Sequence, residues 1–465
     1  MRVKDERIQD LEAQLEGKKK GKKDKKDTSA PVVTTVPASS EPALKEESEG
    51  ANPSPAQAKV EKEAKTLEEH VPYSGVKLFK NNWVELKFTP YAYVRYINQK
   101  GIDDTRTDSF GRTFDVPRQN SFQLGKVMLQ FKGWLGTPKF RYYLYTWTSN
   151  TSMGEGAQVV VGGNLSYLFD PHFNLGLGIA ALPSTRSTRG TFPFWLRVDA
   201  RPLSDEYFRA SYTTGIYAWG DIIGGLHYKT MIGNNMSQLG VSQAQLDEGL
   251  NTVATSLWWT SKNFGAFEGM GDYEIHEKPA FTFGAAYTHS RETKQTQPGK
   301  NDPENTQIRL SDGTSIFDLD ALGPGTQVEK ARYQMTTADA GVKYKGFDFN
   351  VDYFFRWITD LDITGALPAG SKTSFFDHGY QAQASYMVIR RRLQLYGFHS
   401  GILGQFGTPW EAGGGVNIFP LKSTKEFRVN LELDYAHRSP SGYNAYPLAV
   451  GANGPIFMTN VEAHY

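Results

Sequence analysis

Cysteine is absent from the 465 residues, which excludes disulfide frameworks and Cys-based zinc sites and is compatible with an oxidising compartment. No run of 18 apolar residues occurs, so helical membrane spans are excluded. Neither sign of charge prevails: 51 basic side chains stand against 50 acidic ones, a net charge of +1. With no basic stripe interleaved with aromatics, nucleic acid is not an expected partner. Nine His are scattered without an HExxH or any ligand-spaced cluster, so neither a metal nor a cofactor is expected. Met1 to Asp10 is charged and has no apolar core. No secretory signal is therefore expected in the sequence as written, which for an envelope protein implies a trimmed chain or a start assigned too late.

Rings and glycines are abundant instead. There are 24 Tyr, 28 Phe, 9 Trp and 46 Gly, with a mean hydropathy of -0.49. That combination suits transmembrane β-strands, in which every second residue faces water and dilutes the apolar signal. The last segment alternates Phe457, Thr459, Val461, Ala463 and Tyr465 against Met458, Asn460, Glu462 and His464. In Phe347 to Trp357, six apolar side chains on odd positions oppose Asp348, Asn350, Asp352 and Arg356. Arg428 to Tyr435 and Tyr380 to Val388 repeat the scheme. Such a series across residues 77–465 demands a very large closed sheet or several soluble sandwiches, and the alternation of short turns with long loops favours the barrel.

The expected fold is all-β: a transmembrane antiparallel β-barrel of about 16 strands. They are placed near 84–97, 121–133, 139–148, 157–168, 173–181, 207–218, 223–232, 252–261, 280–291, 332–345, 347–358, 378–389, 391–402, 410–420, 426–437 and 455–465. Pro90 suggests that the first strand begins late or is bulged. An even count returns both ends to the periplasm. Residues 1–76 form a separate expected region. Ile8, Leu11 and Leu15 support a short helix or two coiled-coil heptads, followed by the lysine run Lys18 to Lys26 and a low-complexity linker. A solvated tail with one frayed helix fits the same residues.

Three local features are weighed and set aside. His399 and Ser400 are adjacent, so a regular strand points them to opposite faces and they cannot form a dyad. Gly413 to Gly415 has no helix after it and is no phosphate loop; small residues that let a neighbouring wall approach are the better account. Tyr145, Trp147, Trp258, Trp259, Trp357 and Tyr435 are expected in interfacial girdles.

Three stretches resemble the phosphate-selective porin O and P family: Phe122-Gln-Leu-Gly-Lys126-Val-Met-Leu-Gln-Phe131-Lys-Gly133, Arg201-Pro-Leu-Ser-Asp205-Glu206-Tyr-Phe, and Arg392-Leu-Gln-Leu-Tyr396 with the C-terminal strands. The resemblance covers roughly residues 80–465. It implies a sixteen-stranded, usually trimeric outer-membrane porin whose loop after the fifth strand folds into the lumen, with a coiled-coil segment ahead of the barrel in the periplasm. It implies no enzyme activity.

A lumen selects by width and by lining charge. Arg suits oxyanions because its planar fork pairs two oxygens, whereas Lys is a compact point charge. The loop from Leu182 to Glu206 carries Arg186, Arg189, Arg197 and Arg201, with Arg209 beyond it. Alternation puts Lys126, Lys132, Arg141 and Arg356 on lumen faces. These nine are the candidate anion-binding, pore-lining residues; the competing reading pairs them with Asp199, Asp205, Asp348, Asp352, Glu432 and Asp434 across the lumen. The expected function is a water-filled diffusion channel for small hydrophilic solutes, with a bias toward anions or phosphate as the finer expectation. The expected partners are outer-membrane lipid, small anions and copies of itself in a homotrimer. The alternative is a non-conducting barrel enzyme or a surface adhesin using the long loop Lys294 to Lys330.

Overall fold

The computed structural model describes residues 75–149, 158–239, 245–246, 249–264, 269–298, 307–421, 426–442 and 447–464. Of the helix and linker region expected over residues 1–76, residues 1–74 lie outside the described residues, as does Tyr465, and Val76 already belongs to a strand. In chain order the strands are β1 (Val76–Lys80), β2 (Val84–Asn98), β3 (Thr105–Thr107), β4 (Thr113–Asp115), β5 (Asn120–Leu135), β6 (Thr137–Ser149), β7 (Gln158–Leu168), β8 (Asn174–Ala181), β9 (Tyr212–Ile223), β10 (Leu226–Gly233), β11 (Thr252–Thr260), β12 (Ala280–Thr293), β13 (Gln327–Tyr344), β14 (Phe347–Thr364), β15 (Phe375–Ile389), β16 (Leu393–Leu403), β17 (Trp410–Ile418), β18 (Phe427–His437) and β19 (Gly454–His464). A seventeen-stranded sheet comprises β1 and sixteen staves, β2 and β5 to β19. Each stave pairs antiparallel with its neighbour, and β19 pairs with β2, closing the barrel.

The alternation decides which way each side chain points. On β14, Phe347, Phe349 and Trp357 are exposed outward, while Asp348, Asn350, Asp352 and Arg356 are buried inside. Leaving such an apolar band in water costs about 25 cal/mol per Å², whereas hydrocarbon accommodates it. On β19, Phe457 and Val461 face out, and Asn460, Glu462 and His464 face in. On β5 the phase changes at a bulge between the pairs Tyr93 with Lys126 and Val94 with Leu124. Gly125 sits there because a Cβ would lie 2.2 Å from the Tyr93 ring. Phe122 and Leu124 can thus face out on even positions while Leu129 and Phe131 face out on odd ones.

Several expectations shift. β2 runs straight through Pro90, which pairs only with Leu129 of β5; on the other edge it falls between the residues paired to β1 and to β19, so no ladder partner is lost there. The strand expected at 207–218 begins at Tyr212, because Leu203–Phe208 is instead a helical turn, α1, buried throughout. Trp258 and Trp259 cannot share a face: Trp259 points outward and Trp258 inward with Ser256. Tyr145 and Trp147 also lie on the buried lumen face rather than in a girdle, while Trp357 and Tyr435 are exposed outward as expected.

Turn-side connections are mostly short and several loop-side ones are long, though 404–409 between β16 and β17 on the loop side is shorter than 419–426 between β17 and β18 on the turn side. Turns at Gly136, at Gly224 and Gly225, and at Lys345 and Gly346 are tight, and the positive φ of each of these four glycines and of Lys345 is what closes them. Residues 99–119, 182–211 and 294–326 are long connections on the other end. On the turn side, 261–279 between β11 and β12 is a long connection. Part of it enters the barrel: the Met270 and Gly271 N–H groups donate to Phe194 O (2.8 Å) and Asp348 Oδ2 (2.9 Å).

Candidate functional site: a lumen divided by an inward loop

The loop 182–211 packs inside the barrel, mainly against the lumen wall of β13 to β19, and also reaches β2, β5 and β11, where Arg95 Nη2 donates to Val198 O at 2.5 Å, Lys126 pairs with Asp199 and Arg189 lies over the Trp258 ring at 5.2 Å. Ser204 Oγ donates to Gly401 O at 3.0 Å, and the Ser204 N–H donates to Ser400 Oγ at 2.8 Å. Ser400 therefore serves the loop, while His399 stacks outside on Trp410 at 6.1 Å, so the two do point apart. Phe208 of α1 stacks on Phe354 at 5.2 Å. Gly413 and Gly415 hold no cradle; a Cβ at either would meet the Phe398 or Tyr396 ring within 2.5 Å. These rings lie over the loop: Arg197 stacks on Phe398 at 4.2 Å.

Each loop arginine meets this wall or the loop itself. Arg186 donates to Asn350 Oδ1 (2.5 Å), and Arg189 to Asp339 Oδ1 (2.6 Å). Arg197, with none of its side chain exposed, reaches Glu432 at 2.8 Å, Asp434 at 3.0 Å and Glu411 at 3.4 Å. Arg201 stacks on Trp195 at 4.3 Å, donates to Ser187 Oγ at 3.0 Å and faces Glu206 at 3.5 Å. Arg209 pairs with Glu206 at 2.8 Å. Arg356, from β14, pairs with Asp377 and lies over the Tyr207 ring at 4.0 Å. Of the acidic partners named from sequence, Glu432 and Asp434 bond Arg197, Asp205 stands 3.9 Å from Arg201, and Asp199 takes Lys126 at 2.8 Å.

The opposite side of the barrel differs in both sign and wetness. Lumen positions of β2, β5, β6 and β10 carry Lys87, Lys126, Lys132, Arg141 and Lys229, all half-buried rather than sealed. Lys87 and Lys126 keep 13% and 14% of their side chains exposed, against 0% for Arg197. Glu85 and the loop's Asp199 are the acids beside them. Lys87 and Lys132 stand directly across the β2–β5 pair. Arg141 lies near the turn-side mouth, its Nε donating to Pro138 O at 2.6 Å. Lys126 is held over the Trp147 ring at 4.9 Å, and Lys229 over Tyr217 at 5.6 Å. The structure places Lys132 and Arg141 on this wall, apart from the five loop arginines and Arg356, and sets Lys126 between the wall and the loop, against Asp199. Lys87 and Lys229 were missed from sequence. Strict alternation over Glu85, Lys87, Tyr91, Tyr93 and Arg95, and over His227, Lys229 and Met231, carried the signal.

On the turn side, His276 and Asp272 pair through Nδ1, and the Gly346 N–H donates to Asp272 Oδ2 at 2.7 Å. The bond to Asp272 holds the His276 imidazole above its usual 6.5, against a smaller desolvation effect. Burial alone would raise the Asp272 carboxyl, but the His276 and Gly346 bonds outweigh it and hold it below 3.8. The histidine contribution is complete below pH 6.5 and lost as pH rises through its folded value. The aspartate contribution is complete above 3.8 and lost as pH falls through its own. Between those values the clasp on segment 269–276 is at full strength. The heat-stability difference between wild type and His276→Gln, read as loss of folded gel mobility, is therefore expected to shrink from pH 5.5 to pH 8.5. A constant difference would show that the pair does not titrate there.

Among the described residues no group of three or more His, Asp or Glu could hold a metal ion. No family model matches the chain, and no curated protein matches it in sequence. Solved structures do match. OmpT, expressed in the outer membrane of Vibrio cholerae, superposes with a TM-score of 0.51 at 8% identity, over 84% of this chain and 100% of that one. An anion-selective porin from Comamonas acidovorans gives 0.48 at 11% identity, over 82% and 99%. The outer-membrane channel DcaP of Acinetobacter baumannii gives 0.49 at 8%, over 84% and 99%. The chain thus has the fold of a sixteen-stranded closed barrel of the outer-membrane kind.

Proposed function

We propose that this chain is an outer-membrane diffusion channel for small hydrophilic solutes, with a preference for anions set by the lysine wall rather than by the loop arginines. The observation that carries this is the division of charge: the arginine side chains of 182–211 meet an acidic wall or their own loop and are almost wholly sealed, while Lys87, Lys132 and Lys229 remain half-buried on the other wall and Lys126 is held between that wall and the loop's Asp199. Solute would move down its gradient past point charges and aromatic rings, with no chemistry and no cofactor. Lysines without a free guanidinium fork favour anions in general over phosphate in particular. Of what the phosphate-selective resemblance implies, the lumen supports the weaker form, a preference for anions in general.

The apolar outer band supports insertion among outer-membrane lipids, and the shared fold supports a homotrimer, to be checked by mass measurement in detergent. Both barrel ends lie on the turn side, which supports a periplasmic position for the N-terminal region. Planar-bilayer recording tests the channel itself. Stable open steps with an anion-directed reversal potential across a salt gradient are expected. Absence of steps would favour the barrel enzyme or adhesin, and added phosphate is expected not to block chloride current.

A further inference from the structure

The outer face of β12 and β13 changes character toward the loop side. From the turns upward, β12 presents Phe281, Phe283 and Tyr287, then His289 and the exposed Arg291. Gln334 of β13 donates to the Tyr287 hydroxyl at 2.9 Å and pairs across β14 with Trp357. Tyr287 and Trp357 are the kind of rings that mark the boundary between hydrocarbon and headgroups. Two outward positions above Tyr287, Arg291 and Arg332 stand directly opposite each other. Directly opposed residues have Cβ atoms about 5 Å apart, and like charges so placed repel.

Neighbouring acids answer only part of this charge. Arg332 pairs through Nη2 with Asp360, but its Nε is buried without a hydrogen-bond partner. Arg291 makes no ion pair among the described residues, and the nearby Glu329 is taken by Lys294 at 2.8 Å. Two guanidiniums and an imidazole therefore converge on the outside of the barrel, at headgroup depth, with donors left over. We infer that this cluster binds a phosphate monoester on the headgroup of a lipid in the leaflet around the loops, the anion bridging Arg291 and Arg332. Guanidinium forks match phosphate oxygens two at a time. The site's depth selects a phosphate tethered by acyl chains over a free one. The inference rests on membrane insertion and not on conduction.

Native mass spectrometry of the full chain in detergent tests it, with diphosphorylated lipid A, the same lipid enzymatically dephosphorylated, and inorganic phosphate as probes. Wild type is expected to retain the diphosphorylated lipid and to lose it on dephosphorylation. Arg291→Gln with Arg332→Gln is expected to weaken retention at least about tenfold, the loss of about one charge-assisted bond, with folded gel mobility intact. In lipid-free detergent, Arg291→Gln alone is expected to be more heat-resistant than wild type, because the repulsion is relieved. Adducts of equal strength in variant and wild type, or equal retention of the dephosphorylated lipid, would overturn the proposal. A phosphate adduct without a lipid adduct would overturn its lipid source. None of these readings depends on whether the barrel conducts.

Discussion

Replacing Arg197 with Leu is expected to release the inward loop and to destabilise the folded barrel by about 3–5 kcal/mol, the cost of removing one partner from a buried ion pair. Among the described residues the guanidinium pairs with Glu411, Glu432 and Asp434 together, and it also donates to Arg201 O at 3.2 Å. Without it three carboxylates share a sealed space. They must either take up protons or draw in water, and both outcomes loosen the packing of Phe398 against the loop. The deficit should therefore shrink at acidic pH, where protonation relieves the repulsion. Urea unfolding followed by gel mobility reads the stability, and single-channel records should show larger, noisier steps. Arg197→Lys keeps a charge but not the three-way fork, and it is expected to fall between wild type and the Leu variant. A Leu variant as stable as wild type at neutral pH would mean that the cluster does not hold the loop.

The fold was largely legible because barrel alternation writes itself into sequence. Phe347 to Trp357 and Arg428 to Tyr435 each show one apolar and one polar face, and those faces are outward and inward as read. What stayed hidden lacks a period. The direction of the loop arginines could not be read, since a loop imposes no alternation; Arg197 turns toward Glu432 because the wall behind it is acidic, a fact distributed over β17 and β18 and 214 to 237 residues away in the chain. Tyr207 and Phe208, at the end of α1, are ring residues of strand character and read as a strand start, yet they pack on Arg356 and Phe354 inside the barrel. The inward segment 269–276 has no period either: it is held by scattered bonds, the Gly271 N–H to Asp348, Lys343 to Gly269 O and His276 to Asp272. Lys87 was readable in principle, but Pro90 obscured the strand that carries it.

Converting Lys87 and Lys132 together to Glu is expected to reverse the sign of the reversal potential, from anion-preferring to cation-preferring. The two stand across one strand pair on the water-touched wall, so both act on a solute at the same height. The double change alters the local charge by four units. At about 7 Å in water each unit is worth about 0.6 kcal/mol, so a passing chloride would lose about 2 kcal/mol unscreened and about half of that at 0.1 M salt. Even the screened figure is about a fivefold change in local anion concentration, with the opposite change for cations. The effect should therefore grow as the salt is diluted. Neither lysine anchors the loop, so folded gel mobility and step size should stay near wild type, in contrast to the Arg197 variant. If selectivity is unmoved in the lysine variant yet shifts when Arg186 or Arg189 is neutralised, solutes pass on the loop's other side and the lysine wall is not the selecting surface.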